Sequence, residues 1–318
     1  RNSRESPLAR LKQGTPRAHV GRRASAMGRG GHPTVDPAEA TPVAVSSISW
    51  GYPGQPRIID NFTLTMQPGS RVVLVGANGA GKTTVLKLVG GKHMVAEGSV
   101  RVLGRSAFED LNLTSTGELS YIGGTWQRDV AFAGNEVPLQ ADFSAEEMIW
   151  GVKGIDPARR QRLVDLLDID LTWRMHRVSD GQRRRVQLCI GLLKPYKVLL
   201  LDEITVDLDV VARQDLLDFF VAECEERGCC ILYATHIFDG LSQWATHLAY
   251  MNDGKMEKGG TLEELQIGPH RGAMLHAADA WLRQTREEKR RAEAQGTCKP
   301  KVASYTPSFP SKHMSFFR

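Results

Sequence analysis

A glycine-rich loop between an apolar strand and a helix restricts what this chain can fold into more than any other feature. Residues Gly76-Ala77-Asn78-Gly79-Ala80-Gly81-Lys82-Thr83 fit the pattern G-x-x-x-x-G-K-[ST]. The run Arg71 to Val75 before them reads as a buried strand, and Thr84 to Val89 as the start of a helix. Glycines let such a loop wrap closely around phosphates with its N–H groups pointing inward, and the helix adds the positive end of its dipole. Lys82 is then expected to reach the β and γ phosphates of ATP, and the Thr83 hydroxyl to bind magnesium. Gly76, Asn78, Gly79, Ala80, Gly81 and Thr84 complete the expected nucleotide contacts. A strand-to-helix turn without a ligand is the plainer alternative, and the strand, Lys and Thr together disfavour it.

A second apolar run, Val198 to Leu201, is too short for a helix and uniformly hydrophobic, as a central parallel strand buried on both faces must be. It ends in Asp202-Glu203. Two adjacent carboxylates are costly in a core, so they are expected to open onto the cleft at the strand's carboxyl edge. Asp202 is expected to hold magnesium, and Glu203 to act as general base or water-positioning group facing the γ phosphate. Taken alone, an Asp-Glu pair more often starts a loop or caps a helix; its order after the loop above gives it weight.

Between these segments lies Val178-Ser179-Asp180-Gly181-Gln182. With the other two motifs, it resembles the LSGGQ signature of the ATP-binding-cassette (ABC) ATPases. The resemblance implies a P-loop NTPase fold of α/β class: an ABC nucleotide-binding domain with a parallel core sheet, an antiparallel β portion and a helical insertion. It implies that Ser179, Gly181 and Gln182 sit at a helix N-terminus and contact the γ phosphate held by a second subunit. A helix from Gln182 to Leu193 would point its positive end at that anion. Asp180 stands where the family has a second glycine; a carboxylate is favourable at a helix start and unfavourable beside a phosphate.

The same resemblance assigns further residues. His236, after the strand-like run Cys229 to Thr235, matches the switch histidine that contacts the γ phosphate and Glu203. Asp207-Leu208-Asp209 resembles the loop that crosses the dimer interface, with Asp209 as its acid. Tyr52 sits where an aromatic ring stacks on adenine. The family's glutamine after the next strand has no match at its usual place after Glu118 to Ile122. Gln127 comes several residues late: either it reaches magnesium or the role is absent. The stretches Gly90 to Val95, Arg101 to Phe108, Arg128 to Gly134 and Trp173 to His176 resemble more narrowly the small plant class I ABC proteins that lack transmembrane segments. A fungal relative of these is associated with the carbon-catabolite-repression NOT complex.

One phosphate loop and no internal repeat in 318 residues argue for one ATPase domain with extensions. The domain is placed at 41–266, with its helical subdomain at about 139–193. Within it, Ser144-Ala145-Glu146-Glu147 reads as a capping box and Asp156-Pro157 as a helix start. Asn252-Asp253-Gly254 reads as a hairpin turn, and Thr261 to Glu264 as the cap of a short helix. No apolar stretch approaches the roughly 20 residues needed to cross a bilayer.

Net charge is +5 with a pI near 9.0. Residues 1–40 hold eight Arg/Lys against three Asp/Glu and residues 267–318 ten against four, leaving the middle at −6. Basicity belongs to the ends, so no direct nucleic-acid binding by the cassette is expected. The 1–40 segment is expected to be a disordered tail of a cytoplasmic protein; the alternative is the remnant of a plastid transit peptide. The chain has no initiating Met and reads as truncated or processed. Region 267–318 reads as a helix, Ala273 to Ala294, then a basic disordered tail; the stripe Met274, Leu275, Ala278, Trp281 and Leu282 is expected to dock on the cassette, with a second subunit or a membrane surface as the alternatives. Cys189, Cys224, Cys229, Cys230 and Cys298 lack metal-ligand spacing and read as reduced thiols.

The expectation is a homodimer closing on two Mg-ATP, with a heterodimer as the alternative. Its preferred use is to regulate or remodel a protein partner. The runner-up is the energy subunit of a transporter whose membrane subunit is separate. A scaffold that binds ATP without turnover is disfavoured because Glu203 and His236 are both present.

Overall fold

The computed structural model describes residues 41–123, 129–132, 135–138 and 143–295. Gln127, Cys298 and the two basic tails lie outside the described residues. Among the described residues the elements are, in order, β1 (Val43–Trp50), β2 (Ile59–Met66), β3 (Arg71–Gly76), α1 (Lys82–Val89), β4 (Val100–Val102), β5 (Arg105–Ser106), α2 (Asn112–Ser115), β6 (Leu119–Ile122), β7 (Asp129–Phe132) and β8 (Asn135–Pro138). They continue with α3 (Ala145–Trp150), α4 (Pro157–Leu166), α5 (Asp180–Leu193), β9 (Val198–Asp202), α6 (Val210–Arg227), β10 (Cys230–Ala234), α7 (Leu241–Trp244), β11 (His247–Asn252), β12 (Lys255–Thr261) and α8 (Ala273–Ala294).

The larger sheet has the order β12-β11-β3-β10-β9-β6. Its strands from β11 to β6 are parallel, and only β12 runs antiparallel, as the return of a hairpin. Alternate residues feed opposite faces, as strand geometry requires. Val73, Leu199, Leu201, Ile231 and Tyr233 face one core with residues of α3 to α8, while Val72, Leu74, Val198, Leu200 and Leu232 face another with α1 and the smaller sheet. The smaller sheet, β2-β1-β4-β5, is antiparallel throughout. Because both faces are covered, β9 is buried along its whole length, Asp202 included. Cys229 and Cys230 fall on opposite cores, and the four described cysteines are free thiols.

A buried ion pair ties the helices beside the sheet together. Arg159 of α4 grips Glu223 of α6 with two nearly parallel bonds of 2.8 and 2.9 Å. The same guanidinium donates to the carbonyls of Leu192 and Leu193, which α5 leaves unpaired at its end. Glu223 is 3% exposed and also takes Arg227. Removing one partner leaves buried charge uncompensated, so Glu223→Ala is expected to cost about 3–5 kcal/mol of stability. Chemical denaturation of the variant measures it; a loss below about 1 kcal/mol would show that water re-enters and solvates the arginines.

Local signals set several boundaries. Ser144 and Glu147 form the reciprocal capping bonds expected of them, and Asp156 caps α4 with Pro157 in its first turn. Asp253 and Gly254 both have positive φ, 44° and 81°, which is what a two-residue hairpin between β11 and β12 needs. Thr261 and Glu264 also exchange reciprocal bonds, but no helix follows. Gln266 enters the left-handed region at φ 56°, and the segment closes after one turn. Helix α8 docks on the cassette: Met274 and Ala278 are buried, and Tyr250 bonds Thr285 at 2.7 Å. Leu275, expected in that docking stripe, is 47% exposed because one residue further on turns a helix side chain by about 100° from Met274.

Candidate nucleotide site

The carboxyl ends of β3, β6, β9 and β10 meet at one edge of the larger sheet, where a parallel α/β sheet opens its crevice. The loop after β3 is shaped by glycine at two points. A Cβ on Gly76 would lie 2.3 Å from the Met251 carbonyl oxygen, and Gly81 has φ 106° with Ile59 and Met251 within 2.9 Å of where its Cβ would stand. Helix α1 therefore starts at Lys82 with no side chain capping it, which leaves its first-turn N–H groups to the loop's ligand. The hairpin tip braces the loop from behind, Gly254 N–H donating to the Ala80 carbonyl. Lys82 folds back over the loop, its Nζ 2.7 Å from Gly76 O and 3.2 Å from Ala77 O. Burial lowers its pKa, and the nearby charges of Glu203 and Asp202 oppose that shift.

Asp202 closes the other wall. It is 5% exposed; its Oδ1 accepts from the Thr83 hydroxyl and its Oδ2 from the Tyr121 phenol, each at 3.2 Å. Burial raises its pKa. Glu203 follows with φ 51°, a left-handed conformation that a residue with a side chain adopts only when its surroundings hold it there. Its N–H donates to the Ala234 carbonyl at 2.9 Å, and its Oε2 lies 2.8 Å from His236 Nδ1. Lys82, Thr83, Asp202, Glu203 and His236 thus come together from three separate sequence segments.

Ser179 caps α5 and exchanges reciprocal bonds with Gln182, the serine oxygen accepting from the Gln182 N–H while its own hydrogen stays free to donate. Gly181 passes close to the turn before α6: a Cβ there would lie 3.2 Å from the Asp207 carbonyl oxygen. Asp180 is paired with Arg183 at 2.9 Å, which offsets its charge at the helix tip. Asp209 caps α6 through Ala212 N–H and binds Arg185 at 2.7 Å, so both its oxygens are engaged within the chain. Tyr52 packs its ring against Trp50 and His93, at centroid distances of 4.8 and 6.0 Å, and remains 40% exposed. Within one chain these residues do not join the Lys82–Glu203 cluster.

A family model described as ABC transporter matches residues 59–206, which spans the loop, the Ser179–Gln182 helix tip and the Asp-Glu strand. The chain is 56% identical over 260 residues to ABC transporter I family member 20 of Arabidopsis thaliana, covering 82% of this chain and 77% of that one. The chain belongs to the ATP-binding-cassette family. It is 44% identical over 208 residues to CCR4-associated factor 16 of Saccharomyces cerevisiae, covering 63% of this chain and 71% of that protein. Among solved structures, one titled "Structure of ATP binding subunit of ABC transporter" superposes with a TM-score of 0.62 at 24% identity, over 76% of this chain and 99% of that chain. The fold is that of an ABC nucleotide-binding domain, and the chain is an ATP-hydrolysing ATPase. No helix among the described residues is long and apolar enough to cross a membrane.

Two residues of this ABC ATPase's site escaped the sequence motifs. Tyr121 lies in β6 and reaches Asp202, its ring resting where any side chain on Gly123 would sit, 2.8 Å from that Cβ position. Arg184 is the middle of three consecutive arginines, a run that looks solvated, yet it is 4% exposed. Its signal is helical spacing: Leu188 and Leu192 are buried at four-residue steps, and Arg184 extends the same stripe by one turn.

Proposed function

We propose that two copies of this chain close on two Mg-ATP and that the closing motion regulates or remodels a protein partner. The likeness to a protein named as a CCR4-associated factor carries the partner reading, and the Glu203–His236 contact at 2.8 Å supports turnover rather than passive binding. ABC cassettes typically dimerise. Within one chain, Ser179 and Gln182 bond to each other at the exposed tip of α5, free to meet a nucleotide held by a second copy.

Lys82 and the loop N–H groups hold the β and γ phosphates, and Tyr52 stacks on the adenine. Hard oxygen donors suit magnesium, and the Asp202 carboxylate with the Thr83 hydroxyl supplies two of them, leaving the remaining positions to phosphate and water. Gln127 is the candidate for a further contact. Bound magnesium neutralises charge that develops on the β and γ oxygens. Glu203 orients the attacking water and takes its proton as the bond from the terminal phosphorus to the leaving ADP oxygen breaks. His236 fixes the Glu203 carboxylate and reaches the γ phosphate. Ser179, Gly181, Gln182 and Asp209 complete the site of the facing protomer.

A second reading, the energy subunit of a transporter, is supported by the fold likeness to a transporter's ATP-binding subunit. Affinity capture of the Glu203→Gln protein from a native extract with Mg-ATP separates the two. Recovery of water-soluble proteins in the ATP-dependent fraction is expected; recovery of a multi-spanning membrane subunit would replace the first reading with the second. Light scattering of purified protein should show a doubling of mass with Mg-ATP, and a constant monomer mass would remove the shared-nucleotide arrangement.

A further inference from the structure

Arg184 directs its guanidinium at three backbone carbonyls and one side-chain amide. Its Nη1 donates to the Gly123 carbonyl at 2.7 Å and to Gln187 Oε1 at 2.7 Å, its Nε to the Ile204 carbonyl at 3.3 Å, and its Nη2 to the Glu203 carbonyl at 3.3 Å. Among the described residues, no carboxylate lies within ion-pair distance of it. Burial works against its charge, while Asp207 and Asp202 favour it from beyond ion-pair distance; a buried cation that makes no direct ion pair is costly, and a side chain that only filled space would more easily be apolar. What the charge supplies is a rigid fork of donors aimed at several carbonyls at once.

The carbonyls it holds are those of the strained segment. Glu203 sits at φ 51°, and its N–H is tied to Ala234 of β10. Arg184 ties the other end, taking the carbonyl of Glu203 and that of the next residue. The left-handed conformation is therefore clamped from both sides, and the clamp fixes where the Glu203 carboxylate points toward His236. Arg184 also stands about one turn inside α5, whose first residues are Asp180, Gly181 and Gln182. A helix moves as a rigid rod over so short a distance, so displacement of its tip is passed to the Glu203–Ile204 peptide and to Gly123 at the end of β6.

We infer that Arg184 is a positioning residue: it holds Glu203 in its left-handed conformation and makes the Ser179–Gln182 helix tip and the water-activating carboxylate move as one unit. This rests on the reading of Glu203 as the group that activates water. The guanidinium of Arg184 is taken up by the carbonyls of Gly123, Glu203 and Ile204 and by the Gln187 side chain. Its effect on turnover passes through Glu203.

Arg184→Lys keeps the cation and loses the fork. Steady-state ATP hydrolysis by the full chain is expected to show kcat reduced at least tenfold, with KM for ATP within about twofold of wild type and thermal midpoint little changed. The same substitution in a Glu203→Gln background is expected to lower the residual rate no further, because the carboxylate it positions is gone. Wild-type kcat in Arg184→Lys overturns the inference, as does an equal fold-loss in both backgrounds, which would place the action of Arg184 elsewhere. Normal hydrolysis by Glu203→Gln alone is a distinct result that removes the underlying role of Glu203 and this inference with it. Arg184→Gln, shorter and neutral, carries the same expectations and serves if the lysine variant does not fold.

Discussion

Glu203→Gln is expected to bind ATP as tightly as the parent and to hydrolyse it at least ~100-fold more slowly, about 3 kcal/mol of added barrier. Gln matches Glu in size, and the contacts that hold the segment are to its backbone: the N–H to Ala234 and the carbonyl to Arg184. An amide oxygen can still accept from His236, so the cage around the side chain survives. What disappears is the capacity to take a proton from water. Lys82 and Thr83, proposed above to hold the nucleotide, are untouched. Binding therefore continues while the step that reopens the dimer stalls, and light scattering with Mg-ATP should register a long-lived species of twice the monomer mass. Phosphate release at the parental rate would take Glu203 out of the mechanism.

How much of this site sequence alone could show depends on the range of the interaction. The Gly76–Thr83 loop, the Ser144 capping box and the Asp253-Gly254 turn are local chemistry, settled by residues three or four apart. The apolar run of β9 is legible because a strand covered on both faces leaves no polar position until its cleft end. Thr261 to Glu264 shows the limit of local reading: the reciprocal bonds form as expected, yet a cap does not ensure a helix, and the left-handed backbone at Gln266 closes the segment after a single turn. Tyr121 and Arg184 belong to a different class. Tyr121 acts on Asp202, 81 positions away, and Arg184 on Ile204, 20 positions away, and only the pairing of β6 with β9 and the packing of α5 against them create these contacts. The left-handed backbone of Glu203 is likewise imposed from outside. No preference of glutamate for positive φ announces it.

The two arginines of α5 that flank Arg184 show why the basic run misleads. Arg183 turns to Asp180 and Arg185 to Asp168 and Asp209, so one residue neutralises the helix tip and another joins it to the start of α6. Three identical side chains thus have three environments, set by a rotation of about 100° per residue. Charge at the tip matters here because a carboxylate at Asp180 would by itself repel a phosphate. With Arg183 beside it the pair is close to neutral, and the helix dipole would be left to attract the phosphate that the proposed dimer brings there.

Lys82→Ala should separate from Glu203→Gln by failing at the opposite step. The Lys82 ammonium is nine-tenths buried among the loop's carbonyls, bonded to Gly76 O and Ala77 O. Burial works against its charge while Asp202 and Glu203 work for it, and triphosphate brings far more negative charge to the same spot. Charge-assisted hydrogen bonds are worth about 1.5–3 kcal/mol each, so losing the cation is expected to weaken ATP binding by at least ~10-fold and up to a few hundred-fold. The fold should tolerate the change, because the same truncation that frees two carbonyls also removes a desolvated cation, and their costs oppose one another. Titration calorimetry with ATP, next to a thermal melt, reads both quantities. Weakened affinity with a parental melt is the expected pair; parental affinity would mean that phosphate does not sit in the Gly76–Thr83 loop, and the magnesium and water roles given to Asp202 and Glu203 would lose their reference point.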